Sequence, residues 1–256
     1  MSEGGRTGAR SGRPGLVVAI DGPVGSGKST VARRLAEALG CVHIDSGAMY
    51  RAVGWKAVQT GVDLRDHAGL AALAARTDVR IVPTATGPRV LVDGTDVTGW
   101  LRTPAMDEAA SLVSTCPAVR DRLVALQRAM ACAGGVVMDG RDIGTVVFPD
   151  ADLKFFLDAD LGVRADRRLQ DLRRAGGAVD PGAVRAEISR RDARDSGREI
   201  APLRPAADAI RIDSTALDAD GVVRRMLDEV AGLLERDKPL SKNNLTGEIR
   251  ERHKEP

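Results

Sequence analysis

The sequence predicts an α/β protein: a five-stranded parallel sheet flanked by helices, with an antiparallel β insertion and an arginine-rich helical segment. Three observations carry this. Five apolar runs of strand length alternate with stretches of helical period, the pattern of a doubly wound sheet. A glycine-rich turn joins the first run to the first helix. Between residues 79 and 98 the period changes to short strands separated by turn residues, which cannot belong to a parallel sheet.

In chain order, Leu16 to Ile20 is a continuous apolar run suited to a strand buried on both faces. Val31, Leu35, Ala38 and Leu39 then repeat at helical spacing, and Gly40 stands where a helix ends. Cys41-Val42-His43-Ile44 reads as a second strand, expected beside the first, with Asp45 or Ser46 capping the helix that carries Tyr50 and Arg51. Leu70 to Ala75 is a short helix. The inserted strands are Val79–Val82, Arg89–Val92 and Asp96–Thr98, parted by Thr86-Gly87-Pro88 and Asp93-Gly94. Pro104 opens a helix expected to bury Ala105, Ala109, Leu112 and Val113. Another follows Pro117 with Val119, Leu123, Leu126 and Met130 on one face, ending at Gly134-Gly135. Val136 to Asp139 and Leu153 to Leu157 are apolar strands that each run into an aspartate. Ala209 to Asp213 is the last strand, and Val222, Met226, Val230 and Leu233 mark a closing amphipathic helix.

Between the first strand and helix, Gly22-Pro23-Val24-Gly25-Ser26-Gly27-Lys28-Ser29-Thr30 places Gly22, Gly27, Lys28 and Ser29 at the spacing of a phosphate-binding P-loop. The glycines let backbone N–H groups curl around an anion, and the helix adds its positive end. Lys28 is expected to reach the β- and γ-phosphates and the Ser29 hydroxyl to ligate Mg²⁺. Asp139, at a strand tip, is a second candidate for steadying that ion, directly or through water. Residues 162 to 200 hold ten arginines against seven acids, broken at Gly176-Gly177. Glu187 with Arg191 fits an ordinary solvated helical pair. Arg191, Arg194 and Arg198 share one helical face with Asp195 beside them, which suits a segment that closes on phosphates.

Bulk properties exclude other classes. Net charge is +2 with scarce aromatics, so no nucleic-acid partner is expected. The hydrophobic fraction of 43% suffices for one sizeable core. Cys41, Cys116 and Cys132 form no C-x-x-C and read as buried thiols in a reducing cytoplasm. No stretch approaches the roughly 20 apolar residues of a membrane span. Residues 1–13 and the polar segment after Asp237 read as mobile tails.

Together, Gly22 to Thr30, Asp45-Ser46-Gly47-Ala48-Met49-Tyr50-Arg51, Asp139-Gly140-Arg141-Asp142-Ile143-Gly144-Thr145 and Arg191-Asp192-Ala193-Arg194-Asp195 resemble the bacterial cytidylate kinase family of P-loop nucleoside monophosphate kinases. The resemblance runs from about residue 16 to 233 and implies a P-loop kinase fold that moves the ATP γ-phosphate to CMP or dCMP, with Mg²⁺. It implies that Arg51, Arg141 and Arg198 hold the acceptor phosphate near Ser46. Ser111, Arg120 and Asp142 would read cytosine, Tyr50 and Asp195 line the sugar, and Arg191 and Arg194 act from the lid. Chemistry favours Asp142 independently, because a carboxylate accepts from cytosine's amino group and repels uracil's carbonyl. The chain then divides into a tail at 1–13, core at 14–61, a monophosphate-binding region with the insert at 62–118, core at 119–161, lid at 162–200, core at 201–237 and a tail at 238–256. A monomer is expected. The competing readings are another small-molecule P-loop kinase, or a GTP-binding switch, although no Asn-Lys-x-Asp segment is present to specify guanine.

Overall fold

Strands form where the apolar runs lie, because β-branched residues buried on both faces suit a central parallel sheet. The computed structural model describes residues 15–84, 87–131, 135–174, 176 and 179–236. Both expected tails, Cys132, Thr86, Gly134 and Gly177 lie outside these residues. The main sheet contains β1 (Val17–Asp21), β2 (Val42–Asp45), β6 (Val136–Gly140), β7 (Leu153–Asp158) and β8 (Ile210–Asp213). Its order is β2-β6-β1-β7-β8, and every pairing is parallel. This corrects one expectation: β2 does not lie beside β1. β6 runs between them, with Ile20 opposite Asp139 and Asp139 opposite Asp45. A crossover places β6 centrally, where both of its faces are covered and its all-buried residues VVMDG suit the position better than half-exposed β2 would.

Alternation along the strands sends side chains to two layers. Val18, Ile20, Val137 and Phe155 pack with Val31 and Leu35 of α1 (Lys28–Leu39) and with Val222 and Met226 of α8 (Ala219–Arg236). On the other face, Ala19, Ile44 and Met138 meet α2 (Ser46–Thr60), α3 (His67–Arg76), α4 (Pro104–Val113) and α5 (Pro117–Ala131) through Met49, Leu70, Leu73, Val113 and Leu123. Each such large side chain taken fully from water is worth roughly 1.5–3 kcal/mol. The insertion is a separate antiparallel sheet of β3 (Val79–Val82), β4 (Arg89–Val92) and β5 (Thr95–Asp96). Val79, Val90 and Val92 nevertheless belong to the same apolar cluster as Ala19 and Met138. After β5, Trp100 stacks on Trp55 of α2 with ring centroids 5.7 Å apart and planes 2° from parallel.

The arginine-rich segment forms α6 (Leu161–Arg174) and α7 (Pro181–Ser196). Leu169, Leu172, Val184 and Ile188 give this pair a small core of its own, against which Val24 of the glycine-rich loop packs. A second correction concerns α4. Ala105 is exposed and Leu112 half-buried, whereas Asp107 and Ser111 are buried with Met106, Ala109, Ala110 and Val113. The helix turns polar groups inward because its inner face borders a cleft rather than pure core.

Candidate active site

That cleft opens at the carboxyl ends of β1, β2 and β6, where parallel sheets bind ligands. Its floor is the loop after β1, and only glycine fits two of the loop's positions. A Cβ on Gly22 would stand 2.0 Å from the Leu157 carbonyl oxygen, and Gly25, at φ 76°, would put one 2.8 Å from that of Arg164. Residues Val24 to Thr30 line the cleft, while Gly22 and Pro23 shape the loop behind it. Lys28 Nζ donates to Pro23 O at 2.5 Å and to Ser26 Oγ at 3.2 Å. Burial, with Arg141 nearby, holds this amine well below the usual lysine range despite Asp139 and Asp21. An anion in the loop would favour the charged form.

Ser29 Oγ donates to Asp139 Oδ2 at 2.7 Å, while His43 Nε2 lies 2.8 Å from Asp139 Oδ1. Ser46 Oγ donates to the Asp139 carbonyl at 2.7 Å, tying the start of α2 to the tip of β6. The Ser29–Asp139 pair offers hard oxygen ligands of the kind Mg²⁺ takes, beside a loop built for phosphates. Among the described residues no cluster of three or more His, Cys, Asp or Glu could hold a metal. The two oxygens beside the phosphate loop fit an ion bound mainly through phosphates and water.

The opposite wall carries the other expected residues. Arg51 pairs with Asp45 at 2.7 Å and Asp107 at 3.5 Å, and these carboxylates outweigh burial to raise its pKa further. Asp45 also caps α2 by accepting from Ala48 N at 3.0 Å. Arg120 pairs with Asp142, both buried, and lies 5.8 Å over the Tyr50 ring. Burial pushes the Tyr50 hydroxyl up to about 12, so it stays protonated. Arg141 Nε donates to Asp195 Oδ2 at 2.9 Å, and Arg198 Nη1 to Ser114 Oγ at 3.1 Å. Burial alone would raise the Asp195 pKa, but Arg141 and Arg198 pull it below the ordinary value.

From α7, Arg191 reaches the cleft, held below its usual pKa by burial and faced by Asp107 at 3.9 Å and Glu187 at 3.7 Å. One expectation needs correction. Arg198 lies beyond the end of α7 rather than on its face, because the helix stops at Ser196. Arg194 does not line the cleft. It is engaged at the rim by Glu108 at 2.8 Å and Ser111 Oγ at 2.7 Å. The arginine face is thus neutralised by carboxylates of α4. Even so, Arg51 Nε, Arg120 Nη1, Arg191 Nε and Arg198 Nη2 are buried without a partner among the described residues. An unpartnered buried donor costs about 1–3 kcal/mol, which an anionic ligand would recover. The site is one glycine-rich phosphate cradle facing a wall of incompletely satisfied guanidinium groups.

Residues 18–232 match the family model described as cytidylate kinase. The chain belongs to the cytidylate kinase family. A cytidylate kinase from Pelotomaculum thermopropionicum is 53% identical over 215 residues, 84% of this chain and 95% of the relative. Another from Geobacter sulfurreducens is 50% identical over 216 residues, again 84% of this chain and 93% of its own. A solved gluconokinase from Sinorhizobium meliloti 1021 covers 88% of this chain and 96% of its own at 16% identity, with a TM-score of 0.46 that adds no argument.

In this cytidylate kinase family member, sequence reasoning passed over Asp21, His43, Asp107 and Arg168. Asp21 ends β1 with the same apolar-run-then-carboxylate signal that singled out Asp139. His43 had no local signal. Asp107 meets Arg168 of α6 as well as Arg51 and Arg191, a convergence of three elements that no spacing reveals. Among the described residues, no helix is long and apolar enough to cross a membrane.

Proposed function

We propose that this kinase transfers the ATP γ-phosphate to CMP or dCMP, giving ADP and the diphosphate. Family membership supports the reaction. The observation that carries the assignment of groups is the buried, partly unpartnered arginine set facing the P-loop across one cleft. The acceptor is a phosphate monoester, largely ionised at neutral pH, so no general base is needed. Catalysis is then positioning and charge stabilisation. Arg51, Arg141 and Arg198, with Ser46, grip the acceptor phosphate. Lys28, with Arg141, Arg191 and Arg198, meets the charge that spreads over the transferring oxygens. Arg194 acts from the rim by fixing Ser111. Asp142, with Arg120 on its Oδ2, accepts from the cytosine amino group, and Arg120 and Ser111 complete base recognition, while Tyr50 and Asp195 line the sugar. Ser29 would hold Mg²⁺ and Asp139 would steady it, directly or through water, and the ion would neutralise charge on the phosphates.

The free, buried Cys41 and Cys116 suit a reducing compartment, and we place the enzyme in the cytoplasm as a monomer acting on nucleotides rather than nucleic acid.

A coupled ADP-release assay offering CMP, dCMP, UMP and AMP tests the reading. Turnover confined to CMP and dCMP is expected. A preference for UMP or AMP would overturn the base assignment. Asp142→Ala is expected to raise the CMP KM and to narrow the CMP/UMP preference by roughly 10- to 100-fold, the discrimination one good polar base contact provides.

A further inference from the structure

The turn that follows Asp142 lacks a cap of its own. Ile143–Val147 forms a single wide helical turn in which the Asp142 carbonyl accepts from Val146 N at 2.9 Å and Val147 N at 3.2 Å. The first amides of any such turn have no partner within it. An aspartate at Asp142's position ordinarily supplies one by folding its carboxylate back over the turn. Here it makes no capping bond. The two leading amides are satisfied from another strand: Ile143 N donates to Asp21 Oδ1 and Gly144 N to Asp21 Oδ2, each at 2.8 Å. Asp21 is 3% exposed, so no water competes.

From this geometry we infer that Asp21 is a positioning residue for base selection: by capping the turn from β1, it frees the Asp142 carboxylate to face the cleft and pair with Arg120. The inference rests on the base-reading role proposed above and deepens it. Asp21 is also the residue before Gly22, so one side chain joins the phosphate loop to the base-reading loop through two hydrogen bonds. Their relative placement is set by β1 and β6 running in register, with Asp21 opposite Gly140.

Asp21→Asn keeps one acceptor oxygen but turns an NH₂ toward the second amide. Asp142 is then the nearest carboxylate able to cap the turn, at the expense of the base. The expected result is a rise of about tenfold in CMP KM and a smaller CMP/UMP preference, with the ATP KM changed far less. Gly144→Ala approaches the same bond from its other end: the new Cβ would lie 3.4 Å from Asp21 Oδ2 and 3.2 Å from Lys154 Cγ and Cδ. It should move the preference in the same direction by a smaller factor, and it decides the matter if Asp21→Asn does not fold. In an Asp142→Ala background Asp21→Asn should leave the base preference where Asp142→Ala put it, since coupled residues are not additive. A purely structural Asp21 would lower melting temperature and turnover with every acceptor while leaving the CMP/UMP ratio intact, and that outcome overturns the inference. A CMP-selective wild type whose preference survives in both variants overturns it too. A wild type without CMP preference overturns the base-reading role itself, which separates the two failures.

Discussion

Burial pushes the Asp21 carboxyl up to about 6, against the downward pull of the Gly144 and Ile143 amides and with Asp142 and Lys28 as its charged neighbours. Because the folded value lies above the unfolded one, this group's contribution to stability is complete below about pH 4 and is lost as pH rises through about 6. A displacement of about two pH units corresponds to roughly 3 kcal/mol. Urea unfolding of the wild type and Asp21→Asn between pH 4 and 7 should therefore diverge, the variant gaining relative stability toward pH 7. Parallel curves would show that Asp21 does not titrate in that window. Lys28 is proposed above to meet the transferring phosphate. Burial holds its amine well below the usual lysine range, and on the proposed role Lys28→Ala should lower kcat by at least about 100-fold, an electrostatic loss of a few kcal/mol, with a smaller change in CMP KM. Steady-state kinetics with both substrates varied would check this split.

Among elements, α4 does the unexpected work. Its first turns present Asp107 and Glu108 to arginines from α2, α6 and α7, so the helix joins α6 and α7 to α2. Breaking a buried ion pair from one side strands its partner, at about 3–5 kcal/mol. Asp107→Ala should accordingly lower unfolding free energy by about 3 kcal/mol in urea titrations. It should also depress kcat more than it raises CMP KM, since Arg191 loses its anchor. Unchanged kcat would mean that Arg191 is placed by Glu187 and packing alone. The apolar periodicity of α4 misled because a helix bordering a binding cleft buries polar side chains for the ligand, and hydrophobic spacing cannot register that.

For the whole molecule, the parallel sheet, the antiparallel insert and the phosphate loop were legible in the sequence, because each is written in local period and turn chemistry. Strand order was not: nothing near Cys41 or Val136 says that β6 crosses to lie between β1 and β2. The site followed the same division. Asp139 could be found by its position at a strand tip, and Ser46 and Asp142 through the family resemblance, whereas Asp107, His43 and Arg168 are drawn in through contacts made across the fold. The stacked indoles of Trp55 and Trp100 have a practical consequence on the same scale. They are the chain's two tryptophans, both at the joint between α2 and the β insert. Its ultraviolet emission and exciton-coupled dichroism are therefore a single-point optical gauge. A change in that band on adding nucleotide reports strain at this joint, and following α6 and α7 requires a dye attached to one of them.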